Sequence, residues 1–458
     1  MRIALPIAKV LSVFSLLTFG AFAACGDDGT AKPKPEPVKE CDPSLRPVVM
    51  VHGFLAAGDT WASFARRFEA NGYCADHIYA LDWNTLTGRD VAKALLTDLI
   101  DHALEVTGSD QVDLIAHSAG GGLSYEYLAD PVYAAKVRTY VHIASNPEAL
   151  EGAPSAPAGP ADAPIPTLNL TSSGDKIIAA SDIPGAINLK LTTEDHYQCA
   201  TSAKAFDDVY TFLTNGKHPT TTELAQAHPY DATLPRVVSG KALTIGENTP
   251  VAGWTVTAFA VDGATGARKD ETPEGTFPVA TDGSWGPFDA LPQTFYEFAL
   301  TGPEATDRPV HYYREPFVAS NRFVRLRALP PPGTLVGALF SQIPYGTEHS
   351  VLIAFAESQA IVSGRDTLVI DGETLSTAAI APAARTLIAL FLFDKDTDQA
   401  SGDEVEAFKN ITPVFLAALD RFIAAEDGES VTLTLNGRKL VVPAWPSSPD
   451  GAIVATFD

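Results

Sequence analysis

The chain is short of positive charge. Its 458 residues carry 32 Lys and Arg against 56 Asp and Glu, a formal net charge of −24. A surface of that sign repels phosphate, which argues against nucleic acid as a partner. Long apolar runs are scarce too. After residue 24 none approaches the roughly 18–20 residues of a membrane span. There are only four cysteines, and no two stand in a Cys-x-x-Cys spacing, which argues against a zinc or thioredoxin-like centre. No short-period repeat is visible. The remainder, 46% hydrophobic and 19% charged, is the composition of a globular chain rather than a disordered one. At this length two or three domains are expected.

Residues 1–24 read as an export signal, with Arg2 and Lys9 ahead of the apolar stretch Val10 to Ala24. Phe22-Ala23-Ala24-Cys25 resembles a bacterial lipobox, although Phe22 stands where Leu is usual. That resemblance implies lipidation of Cys25. The chain is then exported and lipid-anchored to a bacterial membrane or cell surface, with no other membrane contact. The alternative is a plain secretory signal cut near Cys25, giving a periplasmic or extracellular protein. Residues 25–46, with Pro33, Pro35, Pro37 and Pro43 among charges, read as an extended tether. Cys41 and Cys74 each sit just before a strand, so the expected disulfide is Cys41–Cys74, with Cys199 free.

Residues 47–218 alternate strand and helix signals. Strands are expected at Val48 to Val51, His77 to Leu81, Val112 to Ala116, Val137 to Ile143, Thr167 to Leu170 and Ile187 to Leu191. Helices are expected from Thr60, a candidate N-cap, to Ala70, from Arg89 to Val106, after Ser118 to Leu128, and from Ser202 to Leu213. This rhythm predicts an α/β fold, a parallel sheet with helices on both faces. The Pro-rich connection Glu151 to Pro166 cannot be a regular helix and is either a loop or part of a small lid. Residues 235–330 and 334–458 instead alternate apolar and polar residues between turns such as Asp282-Gly283 and Asn436-Gly437. Two β-sandwich or barrel-like units are expected, divided at Pro330-Pro331-Pro332-Gly333. One helix is expected near Pro413 to Ala424, where Phe415, Leu419 and Phe422 recur at helical spacing.

The chemistry concentrates around Ala116-His117-Ser118-Ala119-Gly120, between a strand and a helix. Small residues at 116 and 120 permit a sharp turn that raises the Ser118 hydroxyl above the sheet at a helix N-terminus. A neutral serine needs a base, and the base needs a carboxylate to hold its tautomer. Asp175 follows the strand at 167–170, and His196 follows the strand at 187–191. The order Ser118, Asp175, His196 suits this topology. Asp195 is the competing acid, but adjacent residues rarely face each other. His52-Gly53-Phe54 after the first strand offers a backbone N–H at Phe54 for an oxyanion, with the Ala119 N–H as the second donor. His52 is expected to brace that loop, and His77, His102 and His142 to be structural.

With these residues on the page, Pro47 to Leu213 resembles bacterial lipases and esterases of the α/β-hydrolase superfamily. The matching segments are His52-Gly53-Phe54, the Ser118 elbow, Gly174-Asp175 and Asp195-His196 with the helix after Ser202. The resemblance implies ester hydrolysis through an acyl-enzyme without a cofactor. The unit begins at the strand corresponding to the family's third, and no lid is obvious. The β-rich remainder resembles that of lipases with a lipid-binding β-domain. The expected partner is a lipid or ester substrate, at an interface if it is insoluble. Alternatives are a polyester depolymerase, an acyltransferase with the same triad, or a non-catalytic surface-binding lipoprotein. Asp394, Asp396 and Asp398 offer a Ca²⁺ loop, but Gln399 and Val405 stand where a Ca²⁺ hand needs Gly and Glu. A solvated acidic loop is the better reading.

Overall fold

The computed structural model describes residues 41–146, 154–224, 234–411, 414–426 and 428–458. The signal, Cys25, the tether to residue 40 and residues 151–153 of the Pro-rich connection lie outside the described residues.

Six strands form a parallel sheet: β1 (Val48–Val51), β2 (Ile78–Leu81), β3 (Val112–His117), β4 (Val137–Ile143), β5 (Thr167–Ser172) and β6 (Ile187–Leu191). Their spatial order is β2-β1-β3-β4-β5-β6, so the chain reverses direction across the sheet between β1 and β3. Strands β1, β3 and β5 are buried throughout, as continuous apolar runs in a two-sided sheet should be. Strand β6 is one of the two edges, opposite β2, and exposes Ile187 and Leu189. Helices α1 (Ala62–Ala70) and α6 (Ala203–Leu213) cover one face through Phe64, Phe68, Phe206 and Val209. Helices α2 (Arg89–Thr107) and α3 (Ala119–Leu128) cover the other through Leu96, Ile100, Leu123 and Tyr127. Two short helices complete this part, α4 (Pro131–Ala134) and α5 (Gln198–Thr201).

Local stops match the sequence. Helix α2 ends at Gly108, whose φ of +68° lets its N–H reach the Leu104 carbonyl. Ser202 caps α6 by accepting the Ala205 N–H at 3.1 Å. The expected cap at Thr60 is corrected. A 3₁₀ turn at Gly58–Trp61 precedes α1, and Trp61 occupies the cap position without a side-chain bond. Burial of Trp61 against the sheet fixes that turn in place of a polar cap. The tether is also shorter than 25–46. Cys41 is disulfide-bonded to Cys74, Leu45 accepts a bond from the His77 ring at 2.6 Å, and Arg46 lies 3.4 Å from Asp113. Cys199 is free and buried. The Pro-rich connection has no helix over residues 154–166 and buries Ala158 and Ile165 against the α2–α3 face.

The remaining strands are β7 (Arg236–Thr244), β8 (Thr255–Val261), β9 (Gly275–Pro278), β10 (Ser284–Ala290), β11 (Phe295–Thr301), β12 (Val310–Arg314), β13 (Asn321–Ala328), β14 (Leu352–Ala356), β15 (Leu368–Ile370), β16 (Glu373–Thr374), β17 (Ala389–Phe393), β18 (Leu416–Asp420), β19 (Ser430–Leu435), β20 (Arg438–Pro443) and β21 (Ala452–Phe457). They form a small sheet β10-β7-β13, a large sheet β18-β17-β14-β21-β12-β11-β8-β9 and a third sheet β16-β15-β19-β20. The division at Pro330–Gly333 is therefore corrected in one respect. The large sheet takes strands from both sides of that segment, joined by the parallel pair β12–β21. One apolar core lies on each side of it, the first including Trp285, Phe298 and Phe391, the second Leu390, Leu433 and Ile453.

The helix expected near Pro413 to Ala424 is also corrected. A short helix α8 (Glu406–Ile411) comes earlier, and β18 follows, paired in parallel with β17. Ala417 and Ala418 are buried on opposite sides of the large sheet, and that pairing overrides the helical spacing. Between β13 and β14 lies helix α7 (Leu335–Phe340), capped by Thr334.

Candidate active site

Ser118 stands at the joint of β3 and α3 with φ +53° and ψ −126°, a backbone conformation costly for any residue but glycine. Close packing holds it there. The Ser118 N–H donates to the Ile143 carbonyl at 3.0 Å, and its own carbonyl accepts from the Gly121 N–H at 2.8 Å and the Ser145 hydroxyl at 2.6 Å. A Cβ on Gly120 would come within 2.6 Å of the Val51 and His52 carbonyls, and one on Gly121 within 2.2 Å of the Ser145 hydroxyl. The elbow therefore needs these glycines for space.

Asp175 in the turn after β5 and His196 in the loop after β6 converge on Ser118. His196 Nε2 lies 2.9 Å from the Ser118 Oγ, and His196 Nδ1 lies 2.8 Å from Asp175 Oδ2. Asp175 Oδ1 accepts the Ile177 and Ile178 N–H groups at 2.7 and 3.0 Å. Burial pushes the Asp175 carboxyl up, but its bond to His196 and these two N–H groups outweigh burial, so it titrates below the ordinary carboxylate range. All three groups are buried. His117 supports the loop by donating from Nε2 to the His196 carbonyl at 2.8 Å, and burial lowers its pKa to about 3, so it stays neutral.

The competing acid Asp195 is engaged elsewhere. Its Oδ1 accepts the Tyr197 and Gln198 N–H groups at 2.9 and 2.8 Å, and its Oδ2 lies 2.8 Å from Arg365. His142 is buried between Tyr140 and the Ser145 carbonyl, and His102 packs on Tyr79, both structural as expected.

The expected oxyanion loop lies beside Ser118. A Cβ on Gly53 would be 2.8 Å from the Ser118 Cβ and 3.3 Å from its Oγ. Ala119 is the first residue of α3, where helix N–H groups lack intrahelical acceptors. Phe54 is 39% exposed at the mouth. His52 braces this loop: Nδ1 donates to the Gly53 carbonyl at 2.8 Å, and Nε2 accepts the Trp83 N–H at 3.2 Å. Burial lowers its pKa to about 4.

Sequence reasoning missed three contributors from the β-rich part. Asn248 donates to the Ala56 and Trp83 carbonyls at 2.7 and 2.9 Å, tying down the chain just after His52-Gly53-Phe54. Arg365 holds Asp195. Phe415 stacks on the His196 ring, centroids 6.0 Å apart. An apolar pocket opens between the two parts, its lining including Phe54, Tyr197, Val336, Leu339, Phe355 and the same Phe415 that stacks on His196.

The acidic loop does not gather as a metal site. Among the described residues the only cluster of three close ligand-type groups is Cys74, Asp76 and His77, and Cys74 is in the disulfide. Asp394 accepts the N–H groups of Asp398 and Gln399 at 3.2 and 3.0 Å, closing a turn in the loop that carries Asp396 and Asp398.

Residues 45–156 match the family model Lipase (class 2), and residues 236–331 match the Lipase C-terminal domain. Residues 343–458 match a further C-terminal domain model. Among solved structures, the chain is similar to the Bacillus licheniformis lipase BlEst2 at 15% identity and TM-score 0.31, covering 39% of this chain and 96% of that one. It is also similar to carboxylesterase CesB from Bacillus subtilis at 12% identity and TM-score 0.29, covering 39% and 87%.

Proposed function

We propose that this chain, a carboxylic ester hydrolase of the α/β-hydrolase lipase type with a β-rich C-terminal region, cleaves esters through Ser118, His196 and Asp175. The observation that carries this reading is the continuous hydrogen-bonded line from the Ser118 Oγ through the His196 ring to Asp175. His196 Nε2 removes the hydroxyl proton as the Ser118 Oγ bonds to the ester carbonyl carbon. The Phe54 and Ala119 N–H groups receive the developing oxyanion. The intermediate collapses when His196 returns the proton to the departing alkoxide, leaving an acyl-enzyme and free alcohol. Water, deprotonated by the same imidazole, then releases the acid. Asp175 keeps the proton of the resting ring on Nδ1 and stabilises the imidazolium.

The apolar pocket that shares Phe415 with the His196 ring supports an acyl chain of low water solubility as the substrate's distinguishing part. We place the protein outside the cytoplasm, anchored through Cys25, a placement supported by the Cys41–Cys74 bridge, which suits an oxidising compartment.

A p-nitrophenyl ester series tests both chemistry and substrate. Leu339 is buried in the pocket wall. Leu339→Trp is expected to lower kcat/KM for the twelve-carbon ester by about 100-fold, the worth of a few methylenes left in water at ~0.8 kcal/mol each. Hydrolysis of the acetate ester should be unchanged. Equal loss on both esters, or a wild-type preference for acetate, would contradict a long-chain pocket.

A further inference from the structure

Two side chains of the β-rich region reach the segment that carries His196, and neither belongs to the triad. The Phe415 ring lies nearly parallel to the imidazole, at 23° and 6.0 Å between centroids, while His117 is the other ring against it, at 4.6 Å. Phe415 has φ +70°, a left-handed conformation that is strained for a bulky residue. Backbone bonds impose it: the Phe415 N–H donates to the Arg385 carbonyl at 2.7 Å, and its carbonyl accepts from Ile388 and Ala389 at 2.7 and 3.1 Å. A glycine there would be free of strain but would leave the imidazole uncovered.

Arg365 grips the same segment on both sides of His196. One guanidinium nitrogen lies 2.8 Å from Asp195 Oδ2 and 3.0 Å from the Gln198 side-chain oxygen. Its Nε donates to Asp366 at 2.8 Å, so the guanidinium is itself held. The other Asp195 oxygen accepts the N–H groups of residues 197 and 198, which closes the turn around His196. Thr201 adds a hydrogen bond to the Ser358 carbonyl of the β-rich region.

We propose that the β-rich region completes the catalytic centre, with Phe415 covering the His196 imidazole and Arg365, through Asp195, fixing the segment that carries it, both as positioning residues for the base. This rests on His196 acting as that base. Its consequence differs from that of a lipid-docking domain. The β-rich region governs turnover even of an ester too short to enter the apolar pocket.

The test uses the full chain with p-nitrophenyl acetate, rates being normalised to the folded fraction measured by circular dichroism. Arg365→Gln and Phe415→Ala should each lower kcat by about 10- to 100-fold with KM unchanged, as a misplaced base does. Phe415→Leu, which keeps an apolar cover, should restore most of the loss. Arg365→Gln combined with Asp195→Asn should cost no more than Arg365→Gln alone, since the two act through one contact. Wild-type kcat in Arg365→Gln and Phe415→Ala would overturn the proposal, as would a loss confined to long-chain esters. If Arg365→Gln does not fold, the Phe415 pair decides. A wild-type chain inert toward acetate and longer esters would instead overturn the hydrolase reading itself.

Discussion

Replacing Ser118 with Ala is expected to lower kcat/KM for p-nitrophenyl butyrate by about 10⁶-fold, the scale of losing the nucleophile of a serine triad. The Ser118 Oγ is the atom that His196 faces at 2.9 Å, and no other hydroxyl shares that imidazole nitrogen in the described residues. The substitution removes one atom and keeps the elbow, so the thermal midpoint should barely move. Ser118→Gly makes a sharper pair with it. Glycine also lacks the hydroxyl, but it relaxes the strain at φ +53°. That variant should be equally inactive and more stable by about 1 kcal/mol. Retention of more than about one hundredth of wild-type activity in both variants, a loss far below that of a missing nucleophile, would remove Ser118 from the mechanism. Destabilisation by glycine would show that the elbow is not strained in solution.

Loss of Arg325 should be the most damaging single change at the junction between the sheet and the β-rich region. Its Nε and one Nη atom each lie 3.0 Å from a different oxygen of Asp82, and both side chains are buried. Asp82 also accepts the Gly58 N–H at 2.7 Å. Burial alone would raise the Asp82 carboxyl, but Arg325 and this N–H bring it down to about 2. Arg325→Met leaves that carboxylate buried and unpaired, at a cost of about 3–5 kcal/mol. The pH dependence follows from the direction of the shift. A carboxyl whose folded pKa lies below its unfolded one contributes stability that is complete above the unfolded value, near 4, and is lost as pH falls towards 2. The gap between wild type and Arg325→Met, followed by thermal melting, should be widest near neutral pH, begin to narrow as pH falls through the variant's own Asp82 pKa, which unpaired burial raises above the ordinary carboxylate value, and go on narrowing towards pH 2. Adding Asp82→Asn to Arg325→Met should recover part of the loss. A gap independent of pH, or no recovery, would mean that Arg325 acts by packing rather than by charge.

What the sequence made legible was local. The Ser118 elbow could be read because its demands fall within five residues: the two carbonyls that a Gly120 Cβ would strike leave no room for a side chain. The parallel sheet, and the places of Asp175 and His196 after its strands, follow from the alternation of apolar runs and helices. The contributors that were missed are distant along the chain. Asn248, Arg365 and Phe415 reach the site through pairings such as β12 with β21 and β17 with β18, which no short pattern reports. Phe415 even carried a misleading signal. Its spacing with Leu419 and Phe422 is helical, yet parallel pairing with β17 makes the segment a strand and turns Phe415 towards His196. Thr60 misled in the same way, since a buried Trp61 rather than a polar cap decides where α1 begins.

Labelling with a fluorophosphonate, followed by peptide mapping, puts the convergence of distant side chains to the most direct trial. The reagent reacts only with a hydroxyl that a neighbouring base has activated. One adduct is expected, on the peptide containing Ser118, formed rapidly in the wild-type chain and lost in His196→Ala. Ester turnover with no adduct on that peptide, or an adduct that forms equally fast without the imidazole, would contradict the account.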